Sequence, residues 1–210
     1  YAACTVTPSA DVEGSEGLST TSLTTADQWG NVVAYTLTIE STGGNGIVVP
    51  GWGFLLNNEL TDFNFIPTQG AGVADPNLPA PGKRPRSSMS PTIVLADGRP
   101  FLALGSPGGS TIITTVLQIL VNRIDLGMSL PQAVAAPRAT QRNTAEVQVE
   151  PAFRATYGPR LTALGHRLAP TDTAEIGAAT AIEFRSRGRL IAAAEPTRRG
   201  GGAAAVVAPR

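Results

Sequence analysis

Cysteine and histidine are almost absent from this chain of 210 residues, which has one of each, Cys4 and His166. A single cysteine cannot form a disulfide within the chain, and the two residues are too few for a cysteine and histidine zinc site. One histidine also argues against a serine or cysteine triad confined to this chain, and we interpret His166 as a solvated loop residue. We expect no metal and no cofactor.

Net charge is absent as well, because 16 basic residues balance 16 acidic ones, and charged residues make up only 15% of the chain. This composition excludes an acidic disordered tail and a basic nucleic-acid-binding protein, so we expect no nucleic-acid partner. Nor does any apolar run reach the ~20 residues that a membrane-spanning helix needs. The hydrophobic fraction of 42% is instead that of a globular domain.

Near the start of the chain, alternating apolar and polar residues predict a β-hairpin with strands over residues 18–27 and 31–40. Residues 1–19 before it are small, polar and without period, and are predicted to be a tail or loop. A turn centred on Trp29 fixes the register of the two strands. It pairs Asp27 with Asn31, Thr24 with Ala34, and Thr20 with Thr38. The hairpin therefore places two threonine hydroxyls side by side.

Further along, two more hairpins and two helices are predicted. One hairpin, "PTIVLADGRPFLALG", turns at Asp97-Gly98, and the other joins "AATAIEF" to "LIAAAEP". A helix over residues 110–125 is apolar around most of its circumference, which predicts that it is largely buried. A second helix over residues 130–136 has Ser129 as its N-cap and ends at Pro137. Strands, then helices, then strands indicate a layered α+β domain.

Hydrolysis of an amide without histidine needs another base, and a threonine at a chain terminus supplies one. Its own α-amine has a pKa of about 8 and lies close to its hydroxyl. Thr20, in "GLSTTSL", is a candidate for this role if cleavage exposes it. The alternative is an ordinary strand threonine.

Gly108 and Gly109 follow a predicted strand and precede a predicted helix. Amide groups at such a position point at a negatively charged oxygen with no side chain in the way, as in an oxyanion hole. A tight strand-to-helix turn without any catalytic role explains the same two glycines.

Two pairs of polar residues are candidates for binding a zwitterion. Glu59 and Asp62, in "NNELTDF", are spaced to surround one ammonium group, although solvated acids at a strand end have the same pattern. Ser87 and Ser88, in "KRPRSSMSP", are suited to donate hydrogen bonds to a carboxylate, although adjacent serines are common in proline-rich loops.

Several long motifs in order resemble the small, catalytic subunit of the γ-glutamyltransferases. They begin at Thr20 and include "DQWGNVVAYTLTI", "GFLLNNELTDF", "PGKRPRSSMSPTIVL", "LGSPGGSTIITTVLQILVN" and "EPTRRGGGAA". The resemblance implies an N-terminal nucleophile hydrolase, with an αββα sandwich built from two subunits cut from one precursor. Residues 1–19 would then be the end of the large subunit, residues 20–210 the catalytic domain, and Ser19–Thr20 the cleaved bond.

The resemblance also implies a role for each candidate residue. Thr20 matches the family's nucleophile and Thr38 the threonine that orients it, while Gly108 and Gly109 match the oxyanion hole. The remaining residues match ligands of the substrate: Glu59 and Asp62 for its α-amine, Ser87 and Ser88 for its α-carboxylate. Two positions depart from the family pattern. Ser22 replaces a histidine, and Glu40 replaces an asparagine, which alters a contact to the glutamyl amine.

The implied activity is transfer or hydrolysis of glutathione and other γ-glutamyl amides through a threonine-bound γ-glutamyl ester. Its implied partners are a large subunit from the same precursor and water, an amino acid or a peptide as acceptor. The implied location is secreted, periplasmic or at the cell envelope. Two alternatives stay open: a related amidase acting on a β-lactam side chain or on poly-γ-glutamate, and an unprocessed, non-catalytic binding domain.

Overall fold

The computed structural model describes residues 19–67, 72–171 and 175–207. The predicted tail up to residue 18, including Cys4, lies outside these ranges. Strands and helices of the described residues are β1 (Thr21–Ala26), β2 (Val32–Leu37), β3 (Thr92–Ala96), β4 (Arg99–Gly105), α1 (Ile112–Ile124), α2 (Leu130–Ala135), β5 (Ala139–Thr140), β6 (Val147–Val149), α3 (Pro151–Ala163), β7 (Leu168–Pro170), β8 (Thr180–Phe184) and β9 (Leu190–Ala194). Within the described ranges, no helix has the length and apolar character needed to cross a bilayer.

The first hairpin, β1–β2, has the predicted register, with Thr24 opposite Ala34. Its turn is held by the carboxylate of Asp27, which accepts hydrogen bonds of 2.9 Å from the backbone N–H groups of Trp29 and Asn31. Hydrogen bonding to Asn31 lowers the pKa of Asp27, so the turn is held by an ionised group. A local side-chain bond therefore fixes the register on which the position of Thr20 depends.

The central sheet has four strands in the order β3-β4-β8-β9, all antiparallel. Both later hairpins are confirmed. Residues 102–105 of β4 are buried on both faces, and alternate side chains point to opposite sides of the strand. Leu102 and Leu104 face a core formed with α1 and α2, while Gly105 faces the β1–β2 hairpin. A Cβ on Gly105 would lie 2.2 Å from the Ser22 hydroxyl, so glycine is what allows the hairpin to approach this closely.

Helices α1 and α2 cover one face of this sheet. A short 3₁₀ turn (Gly109–Thr111) leads into α1, so the predicted helix is present and its α-helical part begins two residues later. Helix α2 has the predicted cap, with the side chains of Ser129 and Gln132 forming a capping box. The chain thus forms three successive layers, helices, sheet and hairpin, in an α+β arrangement.

The prediction that the first helix is largely buried is wrong for one of its faces. Ile112, Val116 and Ile119 are buried against the sheet. Apolar side chains on the other face are exposed: Ile113 53%, Leu117 57%, Val121 38% and Ile124 49%. A helix laid on a sheet buries only the stripe that faces it, so an apolar second face needs a further partner.

A smaller sheet, β5-β6-β7, and helix α3 lie in a part of the chain where the sequence patterns predicted no strand or helix. β5 pairs antiparallel with β6, and β6 pairs parallel with β7 through a crossover that contains α3. Helix α3 has Pro151 in its first turn, Pro159 inside it and few buried residues. Its apolar periodicity is therefore too weak to reveal a helix. His166 is in the exposed connection after this helix, as predicted.

Four buried charged residues form a network of ion pairs between the central sheet, the smaller sheet and the segments next to them: Arg138, Glu150, Glu195 and Arg198. Arg138 donates to Glu195 at 3.0 Å, and both side chains are almost fully buried. Arg198 donates to Glu150 at 2.7 Å and to Glu195 at 3.0 Å. Ile176 is held between them, because Arg138 donates to its carbonyl at 2.6 Å and its N–H donates to Glu150 at 2.9 Å. The network fixes the backbone immediately before Gly177.

Candidate active site

A cleft of about 500 Å³ collects most of the residues predicted from the sequence. It is lined by eight of them: Thr20, Thr38, Glu40, Glu59, Asp62, Ser87, Ser88 and Gly109. Two others, Ser19 and Gly108, directly precede lining residues. Among the predicted residues, positions as far apart in sequence as Thr20 and Gly109 therefore meet at one place.

Thr20 and Thr38 lie at the open ends of the hairpin strands. Thr20 precedes β1 and Thr38 follows β2, and the Thr20 hydroxyl donates to the Thr38 hydroxyl at 3.2 Å. The backbone N–H of Glu40 donates to the same Thr38 oxygen at 2.8 Å. The hydrogen bond from Glu40 thus fixes the position of the Thr38 oxygen, and this oxygen orients the Thr20 hydroxyl. Next to it, the hydroxyls of Ser19 and Thr42 are 3.0 Å apart.

Glu40 is buried and has a left-handed backbone, with a φ of 69°. A non-glycine residue in this conformation costs about 1–3 kcal/mol, so the surrounding contacts must hold it there. Its carboxylate accepts hydrogen bonds from the Asn58 side chain at 2.9 Å and from the Ser41 hydroxyl. These contacts bring the carboxylate to the cleft beside the threonine pair.

Glu59 and Asp62 form the two ends of a short 3₁₀ helix at the same side of the cleft. Partial burial, together with the negative charges of Asp62 and Glu40, raises the pKa of Glu59 to about 7. Three carboxylates at one place stabilise a bound cation, and an ammonium group matches their hydrogen-bond acceptors. The described residues hold no group of three or more His, Cys, Asp or Glu side chains placed to bind a metal ion.

Ser87 and Ser88 lie on the segment that leads into β3, and both line the cleft. The Ser88 hydroxyl donates to the carbonyl of Gly109 at 2.9 Å, which connects this segment to the glycine turn. The Ser87 hydroxyl accepts a hydrogen bond of 3.3 Å from the N–H of Met89. The two serines therefore bring hydroxyl groups to the cleft next to the glycine turn.

Gly108 and Gly109 form the predicted tight turn between β4 and α1, with φ angles of 142° and 55°. A Cβ on Gly108 would lie 2.8 Å from the Thr111 hydroxyl and 3.1 Å from the Cα of Gly177. The position therefore requires glycine for both conformation and space. The turn also borders the cleft, so the structural explanation and a catalytic one are compatible.

Ser22, one of the two departures from the pattern of the family that the sequence resembles, is buried on the inner face of the hairpin and does not line the cleft. Its hydroxyl lies 3.2 Å from the hydroxyl of Thr36 and against Gly105 of the central sheet. This position shapes the contact between two layers of the fold. In this chain the side chain of residue 22 therefore contributes to packing between layers and not to the lining of the cleft.

Nine further residues line the cleft and were not predicted as site residues: Arg86, Met89, Ser110, Ile112, Ile113, Thr114, Gln141, Arg142 and Asn143. Arg86, Met89 and Ser110 had a signal in their positions next to predicted site residues. The others had none, because α1 was predicted only as a buried helix and residues 141–143 lie in a turn of the smaller sheet.

The sequence profile of the gamma-glutamyltranspeptidase family matches residues 3–206. Among curated proteins, the chain is 45% identical over 177 residues to the glutathione hydrolase proenzyme of Bacillus subtilis subsp. natto, covering 84% of this chain and 28% of that protein. The chain thus spans less than a third of that relative's length.

Two solved structures have the same fold. A highly active W525D mutant of the gamma-glutamyltranspeptidase of Pseudomonas nitroreducens superposes with a TM-score of 0.77 at 36% identity, covering 90% of this chain and all of that one. A cephalosporin acylase from Bacillus halodurans superposes with a TM-score of 0.75 at 30% identity, covering 90% of this chain and 34% of that one.

Proposed function

The chain belongs to the gamma-glutamyltranspeptidase family, and from that premise we propose that it is the catalytic part of an enzyme that hydrolyses or transfers γ-glutamyl groups. The observation that supports this most directly is the 3.2 Å contact between the hydroxyls of Thr20 and Thr38 at the edge of a cleft. Glutathione and other γ-glutamyl amides are the proposed donors, with water, amino acids or peptides as acceptors.

In the proposed maturation step, the Thr20 hydroxyl attacks the carbonyl carbon of Ser19. The acyl group moves from the Thr20 nitrogen to its oxygen, and water hydrolyses the resulting ester. Residues 1–19 then end the large subunit, residues 20–210 form the catalytic domain, and the α-amine of Thr20 becomes free. A free α-amine with a pKa near 8 is a suitable base for the adjacent hydroxyl.

In the proposed catalytic cycle, the Thr20 oxygen attacks the γ-carbonyl of the donor while its proton passes to the α-amine. The backbone amides of Gly108 and Gly109 stabilise the oxyanion, a contribution for which loss of one donor typically costs about 10²–10³ in rate. The amine leaves with the proton, and a γ-glutamyl ester remains on Thr20. Water or an acceptor amine then releases the acyl group by the reverse sequence.

Recognition of the glutamyl head group follows from the charges of the cleft. Glu40, Glu59 and Asp62 would surround the α-ammonium, and the hydroxyls of Ser87 and Ser88 would bind the α-carboxylate. Arg86, which directly precedes the serines and lines the cleft, adds positive charge beside them. The head group is thus bound as a zwitterion, with carboxylates around its ammonium and with hydroxyls and a guanidinium around its carboxylate.

A large subunit from the same precursor is the proposed partner. The exposed apolar face of α1, which includes Ile113, Leu117 and Ile124, is the kind of surface that a stable partner covers. A location outside the cytoplasm or at the cell envelope is part of the same proposal, and fractionation of cells would test it.

The nucleophile is tested by expressing the full-length protein with Thr20→Ala, Thr20→Ser and Thr25→Ala. Thr20→Ala should abolish both cleavage before residue 20 and turnover of a γ-glutamyl anilide, while Thr20→Ser should retain part of each because it keeps a hydroxyl. Thr25 is exposed on the same strand and serves as the control. N-terminal sequencing and intact mass report cleavage. Cleavage or turnover by Thr20→Ala would show that Thr20 is not the nucleophile.

A second candidate function is the amidase activity suggested by the cephalosporin acylase. Acyl donors that lack the α-amine or the α-carboxylate distinguish the two, because the three carboxylates and two serines require both groups. Preference for such a donor would favour the acylase. If the full-length protein stays uncut, the non-catalytic alternative is favoured.

A further inference from the structure

The lining of the cleft divides into two parts of different character. The residues proposed for the glutamyl head group lie on segments 40–62 and 86–88. Apart from the threonine pair, Met89 and the glycine turn with Ser110, the rest of the lining comes from the start of α1 and from the turn between β5 and β6: Ile112, Ile113, Thr114, Gln141, Arg142 and Asn143. The glutamyl head group of the donor occupies the first part, and Thr20 lies at the amide bond that is broken. The amine that leaves from the other side of this bond therefore contacts the second part.

The second part of the lining is held in place by specific hydrogen bonds. The hydroxyls of Thr114 and Thr140 lie 2.7 Å apart. Gln118 of α1 donates to the carbonyl of Pro137 at 2.8 Å and accepts from the N–H of Ala139 at 3.1 Å. These bonds attach β5 to the helix that starts at the glycine turn. The β5–β6 turn is therefore positioned relative to the reacting bond.

The turn itself is shaped by its own side chains. The amide group of Gln141 donates to the carbonyl of Thr144 at 2.6 Å and accepts from the N–H of Asn143. Asn143 adopts the left-handed conformation with a φ of 62°, which asparagine tolerates. Arg142, between them, is exposed and reaches the cleft.

The charges of the two parts are opposite. The head-group part contains three carboxylates and one guanidinium, that of Arg86, so its net charge is negative, whereas Arg142 is the charged residue among those described on the second part. A carboxylate on the departing amine is repelled by the first part and attracted by the second. A guanidinium is well suited to such a group, because its N–H donors match the two oxygens of a carboxylate.

We propose that Arg142 and the β5–β6 turn form a subsite for the free carboxylate of the amine that leaves a γ-glutamyl donor. The class of ligand is an amino acid or short peptide with a free C-terminal carboxylate. Because transfer to an acceptor reverses the departure of the leaving amine, the same subsite selects acceptors of the same class. This inference rests on the proposed function and specifies which donors and acceptors the cleft prefers.

The test uses the full-length protein and a pair of donors that differ only in one charge, γ-glutamylglycine and γ-glutamylglycinamide. The measured quantity is the ratio of kcat/KM for the acid to that for the amide. Arg142→Gln should lower this ratio about two- to fivefold, the size of one solvent-exposed charge pair, and Arg142→Glu should lower it further. Added salt should lower the wild-type ratio.

Arg160→Gln is the matched control, since Arg160 is exposed on α3 and does not line the cleft, and its ratio should equal that of the wild type. If Arg142→Gln and Arg142→Glu leave the ratio unchanged, or lower kcat/KM for both donors by the same factor, the subsite is disproved. The proposed function would instead be contradicted if the wild type turned over neither donor and also failed to turn over a γ-glutamyl anilide, whose leaving amine carries no charge.

Discussion

Gly177 lies so close to Gly108 that a Cβ on Gly108 would be 3.1 Å from the Cα of Gly177. Gly177 in turn packs against two hydroxyls: a Cβ there would lie 2.6 Å from that of Thr115 and 2.7 Å from that of Ser106. The Ser106 hydroxyl also accepts from the N–H of Ala178 at 3.0 Å. The buried ion network fixes Ile176, and Gly177, the next residue, packs directly against the glycine turn of the candidate site.

Gly177→Ala should therefore lower kcat more than it raises KM for a γ-glutamyl anilide. Displacement of an oxyanion-hole amide by up to about 1 Å is sufficient to reduce the rate by about 10²-fold. Gly127→Ala is the matched control, because Gly127 has a similar φ of 68° against 65° but nothing within 4 Å of an added Cβ. Both variants carry the same backbone strain. Equal losses of kcat would show that strain alone, and not the turn, is responsible.

Thr38→Val should reduce kcat by about 10- to 100-fold with a smaller effect on KM. Valine keeps the shape but removes the oxygen that receives hydrogen bonds from Thr20 and from the N–H of Glu40. An unpaired buried donor costs about 1–3 kcal/mol, so some loss of stability should accompany the loss of rate. Thr38→Ser restores the oxygen and should recover most of the activity. If serine is no better than valine, the hydroxyl does not orient Thr20.

The raised pKa of Glu59 predicts a pH dependence of substrate binding. Glu59 is half protonated at about pH 7, so a rise in pH through 7 adds a negative charge to the site of the α-ammonium. The ratio kcat/KM for a γ-glutamyl donor should accordingly increase across this range. Glu59→Gln should bind the donor more weakly and show a smaller increase, because only the part due to deprotonation of the Thr20 α-amine remains. Persistence of the same increase in Glu59→Gln would assign it to another group.

The same shift predicts the opposite trend for stability. Because the folded pKa of about 7 lies above the ordinary value of 4.5, the folded state binds more protons than the unfolded state between these values. The free energy of unfolding therefore decreases as pH rises from about 4.5 to about 7 through this group. Glu59→Gln should raise Tm above pH 7, measured by thermal unfolding. An unchanged or lower Tm at pH 8 would contradict the raised pKa.

Arg138→Met should destabilise the fold by about 3–5 kcal/mol, because it leaves buried carboxylates without one of their partners. The Arg138 side chain is 1% exposed and that of Glu195 is fully buried. Arg185→Met is the control, since Arg185 is 40% exposed and its partner Glu183 also pairs with Arg123. Its cost should stay below about 1 kcal/mol. Urea unfolding measures both, and equal costs would show that burial of the network does not matter.

The hairpin shows what local sequence is able to predict. Alternation and a short turn fix its register, and that register alone predicted the threonine pair now found 3.2 Å apart. The caps of α2 and the turn at Asp97-Gly98 were predictable for the same reason. Each depends on interactions between residues that are close in sequence.

The meeting of Glu59, Ser88 and Gly109 with Thr20 was not predictable from local patterns, and only the resemblance to a family implied it. The role of Arg142 had no such signal, since it depends on Gln118 and Thr114 attaching a distant turn to the cleft. The exposed face of α1 likewise follows from which layer it covers, and its own sequence does not reveal this.

The three hairpins, the helices α1 and α2 and the chemical types of the site residues follow from local sequence, because propensity, periodicity and capping act over a few neighbouring positions. Tertiary structure decided which segments share the cleft, which carboxylate has a raised pKa, and which glycine supports another. Those properties depend on distances between parts of the chain far apart in sequence, and burial and charge take effect only when packing has set those distances.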